Sequence, residues 1–292
     1  MLMQAIKALL PVLWLFGMTG SMFAGQELQL DFFRGVKVGQ EFRCEAKADY
    51  LSEYYLSGSI ESAKTPLKHF HVELSGVLMV TRTMEAMPCW LELKIEKFAG
   101  FENDVKYQSG LDGKTLFIRH DGSGRTNFAF KESGNAIAAK DASLLGMIFD
   151  LGTIEPAGKT IWGYPGRIRA GSTWIPDLDI FRRQLARLNA RPEKLEGRVT
   201  LKQMQVFQGI DCLVLDMNIN CLLADGETCA VISYAVFPAD NSTYGPVKND
   251  LCILRKRQIK LPETEPLAAG QIMHSEEKFH LETVMLPLKI NK

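Results

Sequence analysis

Alternation of apolar and polar side chains is the feature that most constrains how this chain can fold. From Phe42 to Tyr50 every second residue is apolar, and every residue between them is charged. A period of two is the repeat of a β-strand, because successive side chains point to opposite faces of a sheet. One face of this segment is therefore expected to lie against a core and the other to meet water, as in an antiparallel sheet.

Seven further segments carry a similar alternation or an apolar run of strand length. They are residues 72–80, 91–96, 199–207, 213–221, 228–237, 251–259 and 279–288. Asp-Gly pairs at 112–113, 121–122 and 225–226 are typical of tight turns between antiparallel strands. The pattern predicts a mostly β protein, a β-dominated α+β fold of antiparallel curved sheets with one or two helices.

Two segments predict those helices. Leu178, Phe181, Leu185 and Leu188 recur at helical spacing, and Pro192 limits any continuation of the helix. Residues 135–150 are apolar on most sides, which predicts a second helix buried against the sheet.

Short patterns recur in the same order in the two halves of the chain. They are GQEF at 39–42 and GSTW at 171–174, glycine at 76 and 197, cysteine at 89 and 212, and DGKT at 112–115 and DGET at 225–228. The intervals between them differ, so either insertions separate two copies of a duplicated unit or common turn residues match by chance. The division expected is a β-rich first half at 25–131, a helical and Gly/Pro-rich connection at 132–170, and a β-rich second half at 171–292. The halves can equally pack as a single domain.

The segment 1–24 has the organisation of a secretory signal peptide. Lys7 supplies a positive charge, residues 8–18 form an apolar run, and residues 21–24 end the segment at Ala24. The alternative is an uncleaved anchor, but the apolar run falls short of the roughly 20 residues that a spanning helix needs. We expect cleavage near Ala24 and a soluble secreted protein, either periplasmic or extracellular.

Export would place the six cysteines in an oxidising compartment, where disulfides form. Six cysteines allow 15 pairings, which sequence alone does not distinguish. The pair best placed to bond is Cys221 with Cys229, because the turn at 225–226 would bring their strands together. The alternative is that several cysteines are small buried side chains of a core.

Motif searches assign no catalytic residue and no cofactor. The stretch GTIEPAGKT at 152–160 has five residues between its glycines, where the phosphate-binding loop has four. Ser275 and Lys278 match an S-x-x-K pattern without its companion motifs, and neither G-x-S-x-G nor H-E-x-x-H occurs. The 34 basic residues balance the 34 acidic residues, so net charge gives no field that would attract nucleic acid.

His69 and His71 are the candidates for metal ligands. Their rings would point to one face of a strand, where imidazole pairs can bind zinc, copper or nickel. A third ligand would have to come from His120, His274 or His280. A polar outer face opposite the apolar residues of the same strand explains the two histidines without a metal.

The absence of catalytic motifs favours a non-enzymatic binding or cell-envelope-associated protein. A concave apolar sheet surface could shelter a lipid or another hydrophobic ligand. The basic residues at 255–257 and 260 could meet an anionic envelope component, or they could form a solvated surface. Two alternatives stay open: a structural or protein-interaction module, and an exported hydrolase whose carboxylate or histidine site no motif reveals.

Overall fold

A computed structural model describes most of the chain. The described residues are 28–29, 36–56, 65–84, 87–120, 126–149, 161–163, 166–187, 191–224, 226–239, 245–260 and 272–288. The predicted signal peptide and its cleavage position at Ala24 lie outside these residues, as do residues 152–160.

A 12-stranded antiparallel sheet forms the body of the molecule. Its strands are β2 (Glu41–Leu56), β3 (Thr65–Met84), β4 (Met87–Glu102), β5 (Val105–Tyr107), β6 (Thr115–His120), β7 (Thr126–Phe130), β9 (Thr173–Trp174), β10 (Pro192–Phe207), β11 (Ile210–Leu223), β12 (Thr228–Pro238), β13 (Lys248–Lys260) and β14 (Ile272–Pro287). Two short strands outside it, β1 (Leu28–Gln29) and β8 (Arg167–Ile168), pair with each other. The mostly β, antiparallel fold predicted from the alternation is thereby confirmed.

The order across the sheet is β7-β6-β4-β3-β2-β14-β13-β12-β11-β10-β9, with β5 attached to β4. Strands β2 and β14 pair antiparallel from Phe42 with Pro287 to Leu56 with Met273. This central pair joins the strands of residues 41–130 to those of residues 173–287. The sheet is open, and β7 and β9 are the strands at its two ends.

Two helices accompany the sheet, as predicted. Helix α2 (Leu178–Arg187) follows Asp177, whose carboxylate accepts hydrogen bonds from the backbone N–H groups of Asp179 and Ile180 at 3.1 and 3.3 Å. This is a helix N-cap, which explains why the helix starts there. Neither helix of the described residues is long and apolar enough to cross a membrane.

Helix α1 (Ala139–Gly146) is shorter than the predicted segment 135–150. Ala136 forms a bridge to Ala129, and the backbone N–H of Ile137 bonds to the carbonyl of Phe128. These residues follow strand β7 instead of continuing the helix, because their backbone groups find partners there.

One face of the sheet carries the core of both halves. On β2 the buried apolar residues are Phe42, Cys44, Ala46 and Ala48, and the register continues this face through β14, β13 and β12. In the first half Leu144 and Leu145 of α1 cover this face. In the second half Trp162 and residues of α2 cover it.

Candidate functional site

An apolar cavity of about 240 Å³ lies on the core face where the two halves of the sheet meet. Strands β2, β3 and β4 line it from the first half, and β13, β14 and the segment before β13 line it from the second. Its apolar wall consists of Val36, Phe42, Leu78, Val80, Pro88, Leu91, Ile148, Phe149, Pro246 and Met285.

The segment before β2 closes one side of the cavity because it is hydrogen-bonded to β3. The N–H of Gly39 donates to the carbonyl of Val80 at 2.8 Å, and the N–H of Val80 donates to the carbonyl of Gln40 at 2.9 Å. Gly39 has a φ of 85°, a backbone conformation that favours glycine. The turn places Val36 in the cavity wall and leaves Val38 in solvent, with exposed fractions of 7% and 63%.

Ile148 and Phe149 form the part of the wall that comes from the helical layer. Both are buried, and their backbone N–H groups donate to the carbonyl of Leu145 at 3.0 and 2.8 Å. The last turn of α1 therefore fixes their position, which makes this wall part of the folded core.

Two polar side chains, Asn249 and Thr283, also line the cavity and lie opposite each other on β13 and β14. The hydroxyl of Ser233 donates to the Oδ1 of Asn249 at 2.8 Å. The amide N–H groups of Asn249 have no hydrogen-bond partner within the part of the chain that the structure describes. A largely apolar wall with a few convergent polar groups is typical of small-molecule sites.

The histidines at 69 and 71 lie on the opposite, outward face of the sheet. The Nδ1 of His71 lies 2.6 Å from a carboxylate oxygen of Asp49, and the Nδ1 of His69 lies 3.3 Å from one of Asp104. Both rings are partly exposed. They share one face of β3, as the spacing predicts, and each is paired with an acid there.

Of the possible third ligands, His280 comes nearest in the register, because it lies opposite Asp49, which in turn lies opposite His71. Its Nε2 is 2.8 Å from a carboxylate oxygen of Asp250. His274 stacks on Tyr55 instead, with ring centres 4.7 Å apart. Within the described part of the chain, no group of three or more His, Cys, Asp or Glu residues is placed to hold a metal ion.

Cys221 and Cys229 lie directly opposite each other on β11 and β12, so the turn pairs their strands as expected. The disulfide predicted between them is absent, since all six cysteines of the chain carry free thiols. Burial raises the pKa of Cys229 to about 11 and also raises that of Cys221. The protonated thiol is therefore favoured, and it reacts slowly with oxidants.

A buried carboxylate that the sequence did not indicate lies beside these thiols. Glu227 is 1% exposed and forms a two-pronged ion pair with Arg255 on β13. Lys256, from the same basic run, lies 3.7 Å from Glu276. Arg255 and Lys256 of the basic run are therefore paired with acids of the neighbouring turn and strand.

Sequence reasoning missed the cavity because its wall comes from separate segments that meet only through the sheet register. Alternation indicated that Phe42, Leu78 and Leu91 face the core. No local pattern indicates where the core contains a cavity, because that depends on how the helices pack on the sheet.

Comparisons with known proteins identify no family. No family model matches the chain, and no curated protein matches it. The crystal structure of Pseudomonas aeruginosa OccK9 (OpdG) is 8% identical, with 85% of this chain and 98% of that chain covered and a TM-score of 0.13. That TM-score is too low to support any argument about fold or function.

Proposed function

We propose that this protein binds a small hydrophobic ligand in the cavity between the two halves of the sheet. The observation that carries the proposal is the composition of the wall, which is apolar except for Asn249 and Thr283. An engineered apolar cavity of roughly 150 Å³ stays dry and binds benzene, so a volume of about 240 Å³ is enough for a compact apolar group.

The driving force in this proposal is the removal of apolar surface from water. Each methylene buried contributes about 0.8 kcal/mol, so a ligand of several carbons can gain affinity without any charged contact. Asn249 would orient a ligand that carries one polar group, since its amide N–H groups have no partner among the described residues.

The proposal includes export, on the support of the apolar segment at residues 8–18. Export is not needed for ligand binding, which rests on the cavity.

Titration with N-phenyl-1-naphthylamine, a neutral apolar fluorophore, tests the proposal. We expect saturable binding to the wild-type chain. Val36→Phe should weaken it at least about tenfold, because the larger side chain enters the cavity, and tenfold corresponds to about 1.4 kcal/mol.

Val38→Phe is the matched control, since the same substitution two residues away adds the same atoms to an exposed position. It should leave the affinity within about twofold of wild type. Equal affinities in Val36→Phe and Val38→Phe, or non-saturating fluorescence in the wild type, would refute binding at this cavity.

A further inference from the structure

The outward face of the first half carries a ladder of two arginines and a tryptophan. Arg82 on β3, Trp90 on β4 and Arg119 on β6 lie opposite one another in the register. The guanidinium carbons of Arg82 and Arg119 lie 5.0 and 4.9 Å from a Trp90 ring centre. Arg119 also lies 4.8 Å from the ring centre of Phe117. Stacking on aromatic rings holds a guanidinium in a fixed orientation.

The two guanidiniums of the ladder have no carboxylate partner within the described residues, whereas Arg43 on the same face pairs with Glu96 at 2.8 Å. Glu92 follows Trp90 on this face of β4, but Lys131 lies 2.6 Å from its carboxylate. Two positive charges are thus held side by side without neutralisation by a described acid.

Arg119 supplies a second, independent observation. Its Nε is buried and has no hydrogen-bond partner in the structure. Buried N–H groups in folded proteins are nearly always paired, and water or an ion supplies the partner where no protein group does. This unpaired N–H donor therefore belongs to a guanidinium that also lacks a carboxylate partner among the described residues.

We propose that Arg82 and Arg119 form a binding site for an oxyanion of the phosphate class. The planar guanidinium presents parallel N–H donors that match the oxygens of phosphate, and charge-assisted hydrogen bonds of this kind are stronger than neutral ones. The phosphate could be free, or it could belong to a lipid headgroup. Trp90 and its neighbour Leu91 point to opposite faces of β4, so this site is separate from the cavity that Leu91 lines.

Thermal unfolding of the full chain with increasing sodium phosphate, at ionic strength held constant with chloride, tests the site. A ligand that binds only the folded state raises the melting temperature, and above the Kd the rise grows with the logarithm of the ligand concentration. We expect Arg82→Gln and Arg119→Gln each to weaken phosphate binding about tenfold or more, the effect of losing charge-assisted hydrogen bonds.

Arg198→Gln is the matched control, because Arg198 is an exposed arginine of β10 and its loss changes the net charge equally. It should change the phosphate affinity less than about twofold. Arg119→Lys keeps the positive charge but loses the planar fork, so it should fold and still bind phosphate more weakly than wild type. It keeps the test valid if Arg119→Gln does not fold.

Flotation with vesicles of phosphatidylglycerol or phosphatidylcholine separates the two sources of phosphate. Saturable binding of free phosphate without vesicle binding supports a soluble anion. Binding to phosphatidylglycerol vesicles that Arg82→Gln and Arg119→Gln reduce, and Arg198→Gln does not, supports a headgroup. The proposal is overturned if neither ligand binds, or if all three glutamine variants respond alike.

Discussion

The two halves of the sheet begin in the same way. Gly39 and Gly171 both have a φ of 85°, and each donates its N–H to a carbonyl on the strand beside it, that of Val80 or of Leu201. In return the N–H of Val80 bonds to Gln40, and that of Leu201 bonds to Ser172. The register of each hairpin then shifts directly after that residue, at Val80/Arg82 and at Leu201/Gln203.

The two halves differ in where the helices contact the sheet. A side-chain carbon added at Gly197 on β10 would lie 2.7 Å from Pro176 and 3.0 Å from Leu178, at the entry to α2. One added at Gly76 on β3 would instead lie 2.3 Å from the carbonyl oxygen of Lys94 on the neighbouring strand. In the first half a side-chain carbon added at Gly100 on β4 would lie 2.6 Å from Leu144 of α1.

Hairpins that begin in the same way are therefore covered differently, by the entry to α2 in the second half and by α1 in the first half. In the first half Leu144 of α1 lies over Gly100 on β4, and the apolar cavity is lined by β2, β3 and β4 together with β13 and β14. The position of the unfilled space therefore depends on how the helices pack on the sheet. A common duplicated origin of the two halves stays a prediction.

Alanine at Gly76 and at Gly197 should produce the largest difference between the two halves. Gly76→Ala should lower the free energy of unfolding by about 3 kcal/mol, because the new methyl group meets a backbone oxygen that cannot move alone. Gly197→Ala should cost about 1–2 kcal/mol, since side chains of Pro176 and Leu178 can shift. Urea unfolding measures both.

Gly110→Ala serves as the control for these substitutions, because nothing lies within 4 Å of the added carbon and its φ is not positive. It should change stability by no more than about 0.5 kcal/mol. A loss of unfolding free energy in Gly197→Ala that equals or exceeds the loss in Gly76→Ala would contradict the different contacts of the two glycines.

Alkaline titration should show that the two cores respond alike. Burial, with a smaller contribution from Glu45, raises the pKa of Cys44 to about 12, and burial raises that of Cys229 to about 11. Between pH 9 and 11 the unfolded chain loses these protons and the folded chain keeps them, so stability should fall as pH rises. Each thiol should account for about 1.4 kcal/mol of the stability lost at pH 10.

Unfolding in urea at pH 8 and pH 10 checks this expectation. Cys44→Ala and Cys229→Ala should each reduce the loss between the two pH values. A loss that is the same in the wild type and in both variants would show that other groups cause it.

A smaller effect is expected at the turns that carry the repeated Asp-Gly pattern. Lys114 is exposed in the first half, whereas Glu227, at the matching position, is buried against Arg255. Glu227→Gln should cost about 1 kcal/mol, a modest value because Arg255 is partly exposed and also lies 3.8 Å from Glu277.

Lys114→Gln should change the free energy of unfolding by no more than about 0.5 kcal/mol. A double-mutant cycle with Arg255→Gln isolates the coupling energy between Glu227 and Arg255. A coupling energy of zero, or equal losses in Glu227→Gln and Lys114→Gln, would contradict a stabilising role of the buried pair.

The strands were predictable because alternation is a local property. The segment 42–50 lies within β2, and the helix Leu178–Arg187 forms where the apolar spacing predicts one. The first residue of α1 was not predictable from the sequence, because Ala136 and Ile137 before it bond to β7, which is a tertiary contact. Propensity is overridden where the backbone finds such a partner.

The sites were less predictable than the strands. The spacing of Cys221 and Cys229 predicted their pairing across two strands, but the state of the thiols depends on burial. Arg82, Trp90 and Arg119 come from three strands, so only the register brings them together. The cavity has the same origin, since its wall is assembled from both halves.

Ligand binding in the cavity is tested by solvent extraction of the chain purified from its own cells, followed by mass spectrometry of the extract. Ligand binding in the cavity predicts one hydrophobic compound in near-equal molar amount from the wild type and Val38→Phe, and at least about tenfold less from Val36→Phe. Equal recovery from all three chains, or no compound from any of them, would contradict it.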